Sequence, residues 1–264
     1  MMYTESYIDE NVGYIIPIGD VHIDDINFTP KAALKLKGYI QWVKDHPESR
    51  VILMGDIFNV ASKTSKSSPF QRRQDLKNGS ALEEVMDWLG PIKKQIIVAY
   101  DGNHEDRMIQ WMNESPTLAL CKALDIKYGG YSGVTAVHVG KQFRADRTNS
   151  NYKQCYTIYA HHTTGGGGTV GGKMNRVDKL RQIVCNADIY LGGHNHMLGN
   201  VPVQNGFINT NNKRITFKEQ WLVDCGSYQD WAGGYAEAKQ LAPNKLGSPK
   251  IELSGNKHDI HVSL

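Results

Sequence analysis

The chain has 264 residues, 40% of them hydrophobic and 22% charged, with a formal net charge of +3. That balance is ordinary for a globular protein and too weakly basic to argue for nucleic acid on charge alone. No apolar run approaches the roughly 18 residues of a membrane span, and the acidic start MMYTESYIDEN is unlike a signal or transit peptide, so a cytoplasmic protein with no membrane partner is expected.

In chain order, GYIIPI (13–18) reads as a first buried strand. Residues 31–45 then space Ala32, Leu36, Tyr39, Ile40 and Val43 along one helical face. RVILM (50–54) is a second strand, 80–90 a helix stopped by Gly90-Pro91, and QIIVA (95–99) a third strand. Ser115 and Pro116 start another helix. CYTIYA (155–160) and ADIYL (187–191) are strands around a helix over 173–184. Such β-branched runs suit strands buried on both faces, and their alternation with helices predicts an α/β fold. Beyond residue 197 the texture is that of strands and turns, with Asn205-Gly206 as a hairpin signal; a second, partly antiparallel sheet is expected there. Neither a repeat nor a linker divides the chain, so residues 1–264 read as a single domain. Four scattered cysteines without a C-x-x-C pair speak against a disulfide framework or a zinc knuckle.

Each strand is followed by polar donors. The first ends in Asp20 and His22, the second in Asp56, the third in Asn103 and His104. The fourth ends in His161 and His162, and the fifth in His194 and His196. In open α/β sheets, ligands bind beyond the carboxyl ends of the strands. One such Asp is more often a helix cap, and one His more often structural, but five successive strand ends are hard to assign to capping. Carboxylate, amide and imidazole donors without a thiolate suit Mn, Fe, Ni, Co or Zn. Their number exceeds what one ion needs and fits two ions sharing a carboxylate.

The ordered set D-x-H, G-D, G-N-H-E, H, G-H-x-H, spanning residues 19–196, resembles the calcineurin-like metallophosphoesterases. The resemblance implies an αββα sandwich of two mixed β-sheets flanked by helices. It also implies two divalent metal ions, manganese being the first choice in vitro. One would be held by Asp20, His22 and His196, the other by Asn103, His161 and His194, with Asp56 bridging. His161 and His162 compete for one role; the first histidine after the strand aligns with the ligand, leaving His162 to line the pocket. His104 is then the spare imidazole, a catalytic group beside the metals, and a metal-bridging hydroxide is the nucleophile.

Relatives that act on phosphoproteins carry an Arg shortly after G-D and another before G-N-H-E. Here GDIFNV and YDGNHE lack both, which favours phosphodiesters, in nucleic acid (DNA or RNA) or a nucleotide, over phosphoproteins. The basic stretch 62–80, with Lys63, Lys66, Arg72, Arg73 and Lys77, can follow a nucleic-acid backbone or be a solvated loop. Lys173 and Arg176 border the glycine-rich segment 163–172, read as a rim of the site that opens a helix near Lys173. The tail with Tyr228, Trp231 and Tyr235 resembles phosphoesterases carried by bacteriophages, implying a host cytoplasm. No obligate protein partner is evident. The rival readings are a broad phosphomonoesterase and a non-catalytic binding protein on the same fold.

Overall fold

The computed structural model describes residues 1–61, 72–76, 80–140, 154–165, 167–233, 235–238, 240 and 242–264. Lys63, Lys66 and Lys77 lie outside these described residues. Two mixed sheets form the centre. The first has the order β11 (Ile260–Ser263), β10 (Lys250–Ser254), β2 (Val12–Ile18), β3 (Ser49–Leu53), β4 (Ile96–Ala99), and the second β1 (Met2–Ile8), β5 (Ser132–Val139), β6 (Gln154–His161), β7 (Ile189–Gly192), β9 (Arg214–Cys225), β8 (Leu198–Asn209). The expected strands appear as β2 (Val12–Ile18), β3 (Ser49–Leu53), β4 (Ile96–Ala99), β6 (Gln154–His161) and β7 (Ile189–Gly192). β2, β3 and β4 run parallel, as do β6 and β7, so their carboxyl ends share one edge of each sheet.

The sheets pack face to face. Ile15, Ile52 and Val98 from the first meet Val137, Ile158, Leu191 and Val223 from the second in one core cluster. This burial on both faces explains why these strands lack period-two alternation. Helices α1 (Pro30–Asp45), α2 (Ser80–Leu89) and α4 (Pro116–Leu124) cover the first sheet through Leu36, Val43, Val85, Leu89 and Leu120. Helix α3 (Asn103–Met112) follows β4, and α5 (Val170–Asp178) covers the second sheet, with Val177 and Leu180 against Tyr190 and Leu222. The layers are therefore helix, sheet, sheet, helix, as the resemblance implied. Among the described residues no helix is long and apolar enough to cross a membrane.

Three local expectations are corrected. The start of the chain is strand β1 (Met2–Ile8), paired in parallel with β5 (Ser132–Val139). Its inward positions include Thr4 and Ser6, and Thr4 Oγ1 meets Thr135 Oγ1 at 2.8 Å, so a hydrogen-bonded polar pair hides the usual apolar signal. The back half does not build one sheet. β8 (Leu198–Asn209) and β9 (Arg214–Cys225) extend the second sheet, whereas β10 (Lys250–Ser254) and β11 (Ile260–Ser263) return to β2 in the first. Asn205 and Gly206 lie inside the β8–β9 ladder, opposite Lys218 and Phe217. The chain turns instead beyond Asn209, whose Oδ1 accepts from the backbone N–H groups of Asn211 and Asn212 at 3.1 and 3.2 Å, a side-chain-made turn.

Candidate metal centre

The edges where β2, β3, β4, β6 and β7 end bring the donors together. Asp20, His22 and His196 form one group whose ligand atoms lie within 4.8 Å of one another, Asp56, His162 and His194 form another, and His22, Asp56 and His104 form a third that links the two. Asn103 joins the second: its Oδ1 is 2.6 Å from His194 Nδ1 and 3.2 Å from His162 Nε2. Asp56 stands between the groups, with Oδ2 at 3.1 Å from His162 Nε2 and 3.7 Å from His22 Nε2. Asp20 Oδ1 lies 3.1 Å from His196 Nε2.

Both carboxylates are buried, yet Asp20 Oδ1 and Asp56 Oδ2 have no hydrogen-bond partner among the described residues. Buried polar atoms are almost always satisfied, so two orphaned anionic oxygens aimed at imidazole nitrogens fit a pair of cations. Burial works against charge on Asp56 and His162 alike. Even so, Asp56 holds the His162 imidazole up, to about 10, and the rings around Asp56 hold its carboxyl well below the usual range. The site therefore demands positive charge beside Asp56, which divalent ions supply. Burial pushes the His22 imidazole down, leaving a lone pair for coordination.

The backbone is bent to present these groups. Asp20, His22, Asp56, His194 and His196 have φ of 48, 46, 50, 70 and 52°. Left-handed backbone at non-glycine residues costs on the order of 1–3 kcal/mol each and gathers at functional sites. Gly55 has φ of 87°, and a Cβ on Gly102 would lie 2.1 Å from Asp56 Oδ1. The Gly-Asp and Gly-Asn-His turns thus interlock, and only glycine lets them approach so closely.

The assignment of His161 is corrected by where β6 stops. The strand includes His161, which pairs with Ser132 and Gly192, and His161 Nδ1 accepts from the Thr163 N–H at 2.7 Å. His162 is the residue beside Asp56 and Asn103, with Nδ1 at 2.7 Å from the Met54 carbonyl. Successive strand residues face opposite ways, so one extra strand residue exchanges the two rings.

His104 lies beside both groups. Its N–H donates to Asp56 Oδ1 at 2.8 Å, and its Nε2 is 3.8 Å from Asp56 Oδ2. Nδ1 is 2.8 Å from the Asn59 carbonyl and Nε2 is 3.1 Å from Arg107 Nη2. A carbonyl only accepts and a guanidinium only donates, so the proton sits on Nδ1 and Nε2 carries the lone pair. Asn59 is itself held by Asp24, which accepts its N–H at 2.5 Å, and by Asp25, which accepts from Nδ2 at 2.7 Å.

Three residues in or next to the site carry roles that the motif pattern alone did not assign. Glu105 is fully buried and accepts the N–H groups of Asp56, Phe58 and Gly102 at 2.8, 3.0 and 2.9 Å. Burial and Asp56 push its carboxyl up, to about 8. Asp224, at the end of β9, accepts from Asn195 Nδ2 at 2.9 Å and steadies the turn between His194 and His196. A carboxylate closing the buried run LVDC is the signal that could have found it. Arg107 follows His104 by one helical turn.

The expected substrate contacts are placed as follows. Arg73 pairs with Asp75 at 2.6 Å and Glu84 at 3.3 Å and donates to the Ile23 carbonyl at 3.0 Å. Its charge is paired within the protein. Arg72 forms a backbone bridge with Asp25. Lys173 lies within α5, which begins at Val170 rather than near Lys173, because Thr169 caps it by accepting the Gly172 N–H at 3.1 Å. Arg176 Nη1 donates to the Thr164 carbonyl and ties the glycine-rich rim to that helix. Asp101, found where a cation was sought, accepts from Ser115 Oγ at 2.8 Å and from the Tyr128 hydroxyl; it anchors the start of α4.

No protein-family model matches the chain, and no curated protein matches it. Among solved structures the chain is similar to GAP50, the anchor in the inner membrane complex of Plasmodium, at 12% identity and a TM-score of 0.47, over 96% of this chain and 84% of that one. It is also similar to the NAD nucleotidase NadN of Haemophilus influenzae, at 11% identity and a TM-score of 0.39, over 96% of this chain and 49% of that one. The chain thus spans about half the length of NadN. Neither likeness bears on the chemistry of the site, which rests on its own geometry.

Proposed function

We propose that the chain is a dinuclear metal-dependent phosphoesterase. Asp20, His22 and His196 would hold one divalent ion and Asn103, His162 and His194 the other, with Asp56 shared. The observation that carries this reading is Asp56 Oδ2, buried without a hydrogen-bond partner among the described residues, between imidazoles of both groups. Two cations in such a site supply Lewis acidity toward phosphate oxygens and lower the pKa of a bound water toward about 7.

The chain's own residues supply position and charge. The interlocked turns at Gly55 and Gly102 fix Asp56 and Asn103, and the Asn59 carbonyl fixes the proton of His104 on Nδ1. His104 Nε2 lies 3.8 Å from Asp56 Oδ2, beside the shared carboxylate, where it can serve an ester bound at the ions. The substrate class we favour is the phosphodiester, in nucleic acid or a nucleotide. Turnover of bis(p-nitrophenyl) phosphate, single-stranded and duplex DNA, RNA and cyclic nucleotides should appear with added Mn²⁺ and vanish with chelator. Inertness toward every phosphate ester with metal bound would overturn the proposal.

A further inference from the structure

The sequence lacks an arginine at both positions where phosphatase relatives carry one. The folded chain nevertheless brings a guanidinium to the site by another route. Arg107 leaves α3 three residues after His104, hence on the same helical face. Its Nη2 lies 3.1 Å from His104 Nε2, and its Nη1 donates to the Asn59 carbonyl at 3.3 Å, the same carbonyl that receives His104 Nδ1–H at 2.8 Å. His104 and His22 stack edge to face with centroids 4.4 Å apart. The imidazoles thus form a row leading from the donor groups to a half-buried cation.

We propose that Arg107 grips a phosphate oxygen beside the metal ions and thereby extends the substrate class to terminal phosphates. The inference rests on the phosphoesterase reading above. A guanidinium is a permanent cation whose paired donors match two oxygens of one phosphate. A neutral imidazole nitrogen is a weaker acceptor than an anionic oxygen, because charge-assisted hydrogen bonds are about twice as strong as neutral ones. An entering phosphate therefore displaces His104 Nε2 as the acceptor for Arg107. A phosphomonoester carries about −1.5 to −2 charge at pH 7 and a diester only one, so the extra cation favours the monoester.

The test compares wild type, Arg107→Met and Arg107→Lys, each loaded with Mn²⁺, on p-nitrophenyl phosphate and bis(p-nitrophenyl) phosphate. Affinity for inorganic phosphate is measured by calorimetry and metal content by elemental analysis. Arg107→Met should lower kcat/KM on the monoester by roughly 10–100-fold, with a smaller loss on the diester, since hydrogen bonds to charged groups are the stronger kind. Phosphate affinity should fall with it while metal content holds. Arg107→Lys should restore part of both losses, keeping the charge without the fork. Equal losses on the two esters, or unaltered phosphate affinity in Arg107→Met, would sink the assignment. Should wild type turn over neither ester yet bind phosphate in an Arg107-dependent way, the phosphoesterase reading fails and the phosphate grip stands.

Discussion

Glu105 Oε2 accepts the backbone N–H of Asp56 at 2.8 Å, so the residue after His104 fixes the loop that carries the shared carboxylate. The same side chain receives Phe58 and Gly102, joining the end of β3 to the start of α3. Glu105→Ala leaves three buried donors without their acceptor, at about 1–3 kcal/mol each. We expect a loss of about 3 kcal/mol or more in urea unfolding, together with weaker metal binding. A loss under about 1 kcal/mol would show that water or a backbone shift replaces the carboxylate.

His162 and His161 should separate cleanly. His162→Ala removes a donor from the group with Asp56 and His194 and should weaken Mn²⁺ binding by more than the roughly 10–100-fold typical of outer-shell partners. His161→Ala should leave metal binding near wild type. Calorimetric Mn²⁺ titration of both variants decides, and the reverse ranking would restore His161 as the ligand.

Gly102→Ala tests the interlocked turns. The added Cβ would sit 2.1 Å from Asp56 Oδ1 and 2.5 Å from Asp56 N, so the backbone must move. Overpacking of this kind costs roughly 1–3 kcal/mol, and here the displaced group is the shared carboxylate. A lower unfolding midpoint together with reduced metal stoichiometry is expected; a variant with wild-type stoichiometry counts against the tight approach.

His104→Ala should lower kcat by roughly 10²–10⁴-fold while two ions per chain remain bound. The ring is anchored by Asn59 and Arg107 rather than by the donor groups alone, so its removal leaves both groups intact. Elemental analysis of the variant checks this: loss of one ion would make His104 a ligand through its contact with Asp56.

A pH effect is expected far from the site. Asp188 Oδ1 meets Lys218 Nζ at 2.8 Å and His258 Nε2 at 3.3 Å. The contact with Asp188 raises the His258 pKa against the opposing effect of partial burial. A raised folded pKa adds stability that is full below the unfolded value, about 6.5, and is lost as pH rises through the folded one. His258→Gln should therefore destabilise most near pH 5 and least near pH 9. The size should stay within about 0–1 kcal/mol, because the imidazole is part exposed. Unfolding curves at both pH values test the sign, and a larger loss at pH 9 contradicts it.

Much of this was legible in the residues because it is local. Buried strands announce themselves through β-branched runs, and the donors of the centre sit directly behind them. Strand β1 escaped because Thr4 and Ser6 occupy inward positions, with Thr4 paired to Thr135 across the sheet and Ser6 accepting from Arg50. Arg73 read as a free cation because its partner Glu84 is brought to it only once α2 has docked.

The sequence by itself determined the alternation of strands and helices and the order of the donors, since side-chain period and strand-end chemistry are written within a few residues; the αββα layering was implied by the resemblance those donors carry. Tertiary structure decided which of His161 and His162 turns inward, because pairing with β5 and β7 sets where β6 ends and one residue reverses the facing. It also decided that Glu105 faces inward, that Arg107 reaches His104, and that β10 and β11 return to the first sheet. Those relations join residues far apart along the chain or depend on which way a helix face is turned, and only packing fixes them.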